Sequence, residues 1–285
     1  VAHVLTDADV DLVVTETVSL AEIVRTAAER TGRHHVVVLS LDSEAIETLV
    51  ADGAGVPRAT VAARTGALTK DDISTIVYTS GTTGTPKGTV LTHENFTNLC
   101  LNSHAWMPEI AAGEDSRLLL FLPLAHVFAR FLQVFQISGN GVMAHVSNIK
   151  NLLPDLASFR PSYLLVVPRV LEKIYNSADA KASKGAKRRI FRWAAHVAIE
   201  YSKALDTPEG PSRSLRAQRA LADKLVFQTI LKLVGGNARY IVSGGAPLAT
   251  WLGHFYRGLG IPVLEGYGLT ETVGPVSVNT PRLSK

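Results

Sequence analysis

The chain reads as an α/β fold in which parallel sheets are covered by helices on both sides. Short β-branched runs alternate with helix-like segments through most of the sequence. Several strand-like runs, among them "RLLLFLPL" and "PSYLLVVP", are apolar almost throughout, as strands buried on both faces are. Of the 285 residues 46% are hydrophobic and 19% charged, which is globular composition with enough apolar surface for a sizeable core.

Taken in order, "DLVVTE" and "HHVVVLS" are predicted strands on either side of the helix "SLAEIVRTAAERTG". Ser19 is the expected N-cap of that helix and Gly32 its stop. A second helix, "DSEAIETLVADG", leads to "ISTIVYTS", a buried-strand candidate that runs straight into a glycine-rich loop. Thr92 is the expected N-cap of the helix after that loop. "RLLLFLPL" is a buried strand and "VFARFLQVFQIS" a helix ended by Gly139-Asn140-Gly141. "VMAHVS" and "PSYLLVVP" are strands around the helix "NLLPDLASFR". The pattern is helical from residue 169 to about 206, and again over 214–234. The chain closes with the strand "ARYIVSGGAP", the short helix "LATWLGHFYRGLG" and a strand and loop, "IPVLEGYGLTET". There is no internal repeat and no low-complexity tract.

Composition excludes several classes of function. A formal charge of +4 is mild for this length, favours an anionic ligand slightly and falls short of a nucleic-acid-binding signature. Cys100 is the single cysteine, so no intramolecular disulfide forms, which fits a reducing cytoplasm. No signal-peptide pattern opens the chain. The most apolar stretch, residues 118–137, is interrupted by Pro123, His126, Arg130 and Gln133 and reads as core, since a membrane span needs ~20 largely uninterrupted apolar residues. The densest basic run, "KASKGAKRRIFR" at 181–192, has two readings. One is a solvated helix face; the other is contact with anionic lipid or a polyanionic cofactor. The expected location is cytoplasmic, with peripheral membrane contact left open by that run.

The chemistry concentrates in "YTSGTTGTPKG", residues 78–88. Gly81, Gly84 and Gly88 leave backbone N–H groups open to close approach by an anion. Thr79, Ser80, Thr82, Thr83 and Thr85 add hydroxyl donors, and Lys87 adds a mobile positive charge suited to phosphate oxygens. Emerging from a strand, such a loop is expected at the C-terminal edge of a parallel sheet, where ligands bind in open α/β folds. It lacks the Gly-x4-Gly-Lys-Ser/Thr ending of the common nucleotide-binding loop, because Pro86 precedes the lysine and Gly88 follows it. A kinase or ATPase of that type is therefore not expected.

Three further stretches stand in order behind it, and each has a plain structural alternative. "GYGLTET" at 266–272 reads by itself equally well as a surface turn with a capping Thr-Glu pair. Gly244, Gly245 and Ala246, in "SGGAPL", either let a flat ligand approach the backbone or form an ordinary strand-to-helix turn ahead of Pro247. His126, in "LPLAHVF" at 122–128, is either a core histidine or a site residue. His34, His35 and Cys100 show no metal-ligand spacing and receive no role.

Together these motifs resemble, over nearly the whole chain, the adenylate-forming (AMP-binding) enzymes: acyl-CoA synthetases, luciferases and peptide-synthetase adenylation domains. "VVPRVLEKIY" at 166–175 is similar to long-chain fatty acyl-CoA synthetases in particular. The resemblance implies the layered αβαβα-like large N-terminal domain of that family, here incomplete, over residues 1–285. It implies that Lys87 and the loop, Thr79 to Gly84, hold the β- and γ-phosphates of ATP and compensate the charge of departing pyrophosphate. It places Thr270 on the α-phosphate and Glu271 on Mg²⁺, with Gly266, Tyr267 and Gly268 beside the nucleotide and the Tyr267 ring on adenine. Gly244, Gly245 and Ala246 would form the adenine-side loop, and His126 would stand beside the acyl carboxylate.

The implied reaction has two halves. A fatty acid carboxylate attacks ATP to give acyl-adenylate and pyrophosphate, and the thiol of coenzyme A then displaces AMP. A carrier-protein thiol is the rival acceptor, and a non-catalytic ATP- or acyl-binding module is a third reading. Family members continue past "GYGLTET" with a ribose-binding aspartate, a hinge and a small C-terminal lid domain with an essential lysine. None of these is present in this chain, so weak nucleotide binding without turnover is expected of it alone. The implied partners are small molecules. Acyl chain length and oligomeric state are not written in sequence order, because pocket walls come from residues scattered over several elements.

Overall fold

A computed structural model of the chain describes residues 1–79, 84–111, 115–182 and 185–281. They fall into two compact units, Val1–Glu94 and Asn95–Lys285.

In the first unit α1 (Ala2–Asp7), β1 (Leu12–Thr15), α2 (Val18–Arg30) and β2 (Val37–Ser40) form a small βαβ element whose two strands are parallel. Its core is Leu5, Val24, Ala27 and Ala28, with Val13 and Val38 packed against them from the strands. The N-cap of α2 is Thr17, not Ser19: Thr17 is extended, with φ −132°, and its Oγ1 accepts from the Leu20 amide. Gly32 follows the helix at φ +69°, the left-handed geometry in which helices commonly end. Then come α3 (Ala45–Gly53) and α4 (Arg58–Ala67). No residue of α4 is buried, so it carries no apolar stripe by which a sequence reading could find it.

The unit closes with β3 (Ile73–Thr79) and β4 (Lys87–Thr92), an antiparallel pair. This corrects the expected setting of the glycine-rich loop. It joins the two strands of a hairpin rather than leaving the edge of a parallel sheet.

The second unit contains α5 (His93–Trp106, entered from the first unit), α6 (Pro108–Ala111), β5 (Arg117–Leu120), α7 (Val127–Ile137), β6 (Val142–His145), α8 (Leu152–Phe159), β7 (Tyr163–Val166), α9 (Pro168–Lys181), α10 (Ala186–Ala204), α11 (Arg213–Ala222), α12 (Gln228–Leu233), β8 (Tyr240–Ser243), α13 (Thr250–Leu259), β9 (Val263–Leu269) and β10 (Gly274–Val278). The six strands make one sheet in the order β10-β9-β8-β7-β5-β6. All neighbours are parallel except β10, which pairs antiparallel with β9 at the edge.

The mixed α/β architecture is as the alternation predicts, with differences of detail. The helical pattern from 169 to about 206 is two helices, because Gly185 turns the chain at φ +82° before α10. The pattern over 214–234 contains a π-helical turn at Asp223–Phe227 between α11 and α12. The "GYGLTET" stretch is less of a loop than expected: β9 runs through Leu269, and a 3₁₀ turn at Thr270–Thr272 leads directly into β10.

Burial on both sides of the sheet follows the period of two along each strand. Leu164, Val166 and Ile241 point into a large core with Leu171 of α9, Phe191 and Ala198 of α10, and Phe255 and Tyr256 of α13. Tyr163 and Val242, one residue out of phase, face α7 instead. "VVPRVLEKIY" spans this structure. Val166 ends β7, Pro168 opens α9, and the Tyr175 ring lies 5.4 Å from Phe191 and 5.0 Å from both Trp251 and Phe255. Pairs of this kind are worth ~0.5–1.5 kcal/mol each beyond their area. The Tyr256 hydroxyl adds a bond of 2.9 Å to the Leu171 carbonyl.

Helices α10 and α13 approach so closely at Gly258 that a Cβ there would fall inside the Ala198 peptide group. Gly258→Ala is therefore expected to destabilise the protein by about 2 kcal/mol through forced helix separation. Thermal unfolding should show a melting temperature lowered by roughly 5 °C.

Candidate active site

Within the first unit the candidate site is the open end of the β3–β4 hairpin. Pairing ends with Thr79 opposite Lys87, so the loop starts and finishes at these two residues. Ser80, Gly81, Thr82 and Thr83 lie outside the described residues. Gly84 stands at φ +95°, and Lys87 is exposed. Gly88 has a packing reason of its own: a Cβ would stand 2.9 Å from Ile76 Cγ2 and 3.0 Å from the Tyr78 ring. Helix α1 fastens this end of the hairpin. The Tyr78 hydroxyl donates to Asp7 Oδ2 at 2.6 Å, and His3 Nε2 lies 2.8 Å from the Pro86 carbonyl oxygen. The bond to the Asp7 carboxylate, helped by partial burial, pushes the Tyr78 phenol up to about 12.

Within the second unit the candidate site is a cavity of about 330 Å³ that opens at the C-terminal ends of β5, β7 and β8. The position follows from topology. The chain goes from β5 to β6 on one side, then back across β5 to β7, so the sheet reverses direction there. Open α/β sheets bind ligands at that point. Pro123 and His126 follow β5, Val167 follows β7, and Gly244 and Gly245 follow β8; all five line the mouth. The β9 residues Gly266, Tyr267 and Gly268, with Thr270 beyond them, line it as well.

The structure thus brings seven sequence-predicted residues of this unit to one cavity: His126, Gly244, Gly245, Gly266, Tyr267, Gly268 and Thr270. Ala246 and Glu271 are exposed and do not line it. His126 is exposed at the N-cap of α7, which corrects the apolar surround its sequence neighbours imply. Tyr267 keeps 65% of its surface exposed, a free aromatic face at the rim.

The rim is built from close backbone contacts. A Cβ on Gly244 would stand 3.2 Å from the Gly266 carbonyl oxygen and 3.3 Å from the Phe128 ring. One on Gly268 would fall on the Gly274 carbonyl across the hairpin. Thr272 Oγ1 accepts from the Leu269 amide at 3.0 Å and donates to the Gly274 carbonyl at 2.8 Å. These bonds close a turn in which Val273 sits at φ +66°, a conformation that costs a β-branched residue about 1–3 kcal/mol. Glu265, which the sequence does not single out, accepts from the Leu248 amide at 3.0 Å and ties the "SGGAPL" turn to β9.

The depth of the cavity was not legible either. Its inner walls are Ser103, Met107 and Ile110 from α5 and the segment after it, Phe131, Leu132 and Phe135 from α7, and Tyr163. Phe128, Phe131, Leu132 and Phe135 stand at i, i+3, i+4 and i+7, a stripe that reads as ordinary core.

Among the described residues no group of three or more His, Cys, Asp or Glu could hold a metal ion. Glu271 offers a single exposed carboxylate. That suits a Mg²⁺ arriving on substrate phosphates with its own waters, rather than an ion caged by the protein. In the basic run, Arg188 and Arg192 reach Asp179 at 2.9 and 3.7 Å, and these bonds hold the Asp179 carboxyl below the usual range. Such pairing favours the solvated-face reading. No helix among the described residues is long and apolar enough to cross a membrane.

The family model of AMP-binding enzymes matches residues 1–285. The long-chain-fatty-acid–CoA ligase FadD15 of Mycobacterium tuberculosis is 42% identical over 284 residues, covering 98% of this chain and 46% of that protein. Long chain acyl-CoA synthetase 3 of Arabidopsis thaliana is 36% identical over 220 residues, covering 74% of this chain and 32% of its own length. The chain therefore spans about half the length of the FadD15 proteins it matches. Among solved structures, the N-terminal domain of FACL13 from Mycobacterium tuberculosis aligns over 98% of this chain and 55% of its own, with TM-score 0.64 and 21% identity. ATP-bound MatB from Rhodopseudomonas palustris aligns over 98% of this chain and 44% of its own, with TM-score 0.61 and 23% identity. At these identities the structures establish likeness of fold.

Two outcomes are expected at the site. Because the folded pKa of Tyr78 lies above its ordinary value of 10.0, the Asp7 bond stabilises the fold below pH 10. That contribution is lost as the pH rises towards 12. A difference titration of tyrosine absorbance between wild type and Asp7→Asn should show one phenol returning from about 12 towards 10. Gly268→Ala should break the β9–β10 register at a cost of about 3 kcal/mol, seen as a lower denaturant midpoint.

Proposed function

This chain belongs to the AMP-binding enzyme family, and from that premise we propose that the full-length protein is an AMP-forming fatty acid–CoA ligase acting on long-chain acids. The observation that carries the proposal is the cavity: a polar, glycine-built rim opens onto a shaft lined by apolar side chains. A ligand with a reactive polar head and an apolar tail fits that division. The names of the relatives, long-chain-fatty-acid–CoA ligase and long chain acyl-CoA synthetase, support the same substrate class.

In the first half-reaction a carboxylate oxygen of the acid attacks the α-phosphorus of ATP. The new bond gives acyl-adenylate, the α–β anhydride bond breaks, and pyrophosphate leaves. In the second, the thiol of coenzyme A gives up its proton to solvent, its sulfur attacks the acyl carbonyl carbon, and the acyl–phosphate bond breaks with AMP leaving. No side-chain nucleophile is needed, so catalysis rests on positioning and on compensation of charge. Lys87 and the loop of 79–84 hold the β- and γ-phosphates and stabilise pyrophosphate as it departs. The Thr270 hydroxyl donates to the α-phosphate. The exposed Tyr267 ring stacks on adenine, an interaction worth ~1–3 kcal/mol per base elsewhere. Gly244, Gly245 and Ala246 leave room for the flat base, and His126, at the rim, orients the acid's carboxylate. Mg²⁺ bound through Glu271 and the phosphates would neutralise charge on the triphosphate.

The test is carboxylate-dependent exchange of pyrophosphate into ATP by the full-length protein, over a panel of fatty acids. No exchange with any acid would sink the proposal. Exchange without acyl-CoA formation would move the acceptor to a carrier-protein thiol. Lys87→Ala is expected to lower kcat roughly a hundred- to a thousand-fold, and unchanged kinetics would remove its phosphate role.

A further inference from the structure

The cavity has a rim and a far end, and two rulers place them. Tyr163 begins β7 three residues before Val166, about 10 Å away along the strand. Phe135 lies nine residues along α7 from His126, about 13 Å down the helix. Exposure falls in the same direction. At the rim Tyr267 is 65% exposed; at the far end Ser103 is 7%, Phe135 2% and Tyr163 1%.

The far end is closed by a buried polar network. The Tyr163 hydroxyl donates to Gln136 Oε1 at 2.7 Å. The Gln136 amide nitrogen lies 3.4 Å from the Ser116 and Val142 carbonyl oxygens, and the Ser116 hydroxyl donates to the Ile110 carbonyl at 3.0 Å. Gly141 is needed here, because a Cβ would collide with the Gln136 amide. The network joins β7, α7, the entry to β5, β6 and the carbonyl of the wall residue Ile110. Its polar atoms face one another, so Tyr163 and Phe135 present apolar surface to the cavity. Burial pushes the Tyr163 phenol up, which keeps it a donor. A buried group deprived of its partner is costly, which resists movement of the floor.

We propose that Tyr163, locked by Gln136 and Ser116, is the floor of the acyl shaft and sets the length of fatty acid accepted. The proposal rests on the acyl-activation reading. It assigns to Tyr163 a specificity role that the rim residues do not share.

The experiment measures kcat/KM of the full-length protein for saturated acids of medium to long chain, with thermal melts of every variant. Tyr163→Ala should move the optimum to longer acids by about two carbons or more, since an extended chain advances ~1.2 Å per bond. Tyr163→Phe keeps the ring, so the order of preference should persist while the melting temperature falls. Ile110→Ala shortens the wall side chain while keeping the backbone carbonyl that accepts from Ser116, and should also favour longer acids, while Ser103→Leu narrows the same end and should favour shorter ones. An unmoved optimum in folded Tyr163→Ala, Ile110→Ala and Ser103→Leu, a shifted optimum in Tyr163→Phe, or an equal loss at every chain length would overturn the proposal. Failure of the wild type to activate any acid would instead remove the acyl-activation reading itself.

Discussion

The second unit depends on burying both faces of its six-stranded sheet. With helices on each side, successive residues of β7 and β8 must be apolar in both directions, and the two directions serve different ends. Leu164, Val166 and Ile241 build the core with α9, α10 and α13. Tyr163 and Val242 border the cavity beneath α7. The same parallel arrangement sends the segments after β5, β7 and β8 to one edge, where the topology reverses and the cavity opens. Fold and site are consequences of one constraint.

Around the mouth, backbone rather than side chains does most of the shaping. Gly268 passes the Gly274 carbonyl at a distance that excludes a Cβ, and Gly244 passes the Gly266 carbonyl closely enough to leave a Cβ only a tight fit. The strained Val273 and the two bonds of Thr272 fix the turn that carries Thr270 and Glu271. Such backbone-built features move little with side-chain rotamers, which suits charge stabilisation by preset donors. In the first unit the β3–β4 hairpin is held at its open end by α1 through Asp7 and His3. Lys87 therefore stands at the edge of a braced element.

What the sequence disclosed, it disclosed through local chemistry. Glycine, threonine and lysine crowded into 78–88 raise the expectation of anion binding, and "SGGAPL" and "GYGLTET" mark places of close backbone approach. Strands with β-branched apolar runs and helices with a clear stripe were legible for the same reason. Helix α4 escaped because it buries nothing. Strand β10 escaped because Pro275 near its start argues against a strand, and only an edge position tolerates it. The antiparallel partner of β3 was hidden because Lys87, Gly88 and Thr89 read as loop residues rather than as a strand. The shaft was beyond reach because Ser103, Phe135 and Tyr163 are far apart in the chain and individually resemble core. Only tertiary packing shows that their shared boundary is a hollow.

The cavity draws its rim from the ends of strands and its shaft mainly from the flanks of helices. On the acyl-activation proposal, chemistry and selectivity thereby fall to different parts of the polypeptide. Residues on α7 or near Met107 can exchange one apolar volume for another without disturbing the hydrogen bonds of Thr272 or Glu265. A scaffold divided in this way can be retuned for new substrates while its reaction stays fixed. The wall of the shaft is thus a part of this molecule whose apolar volume can vary without moving the rim.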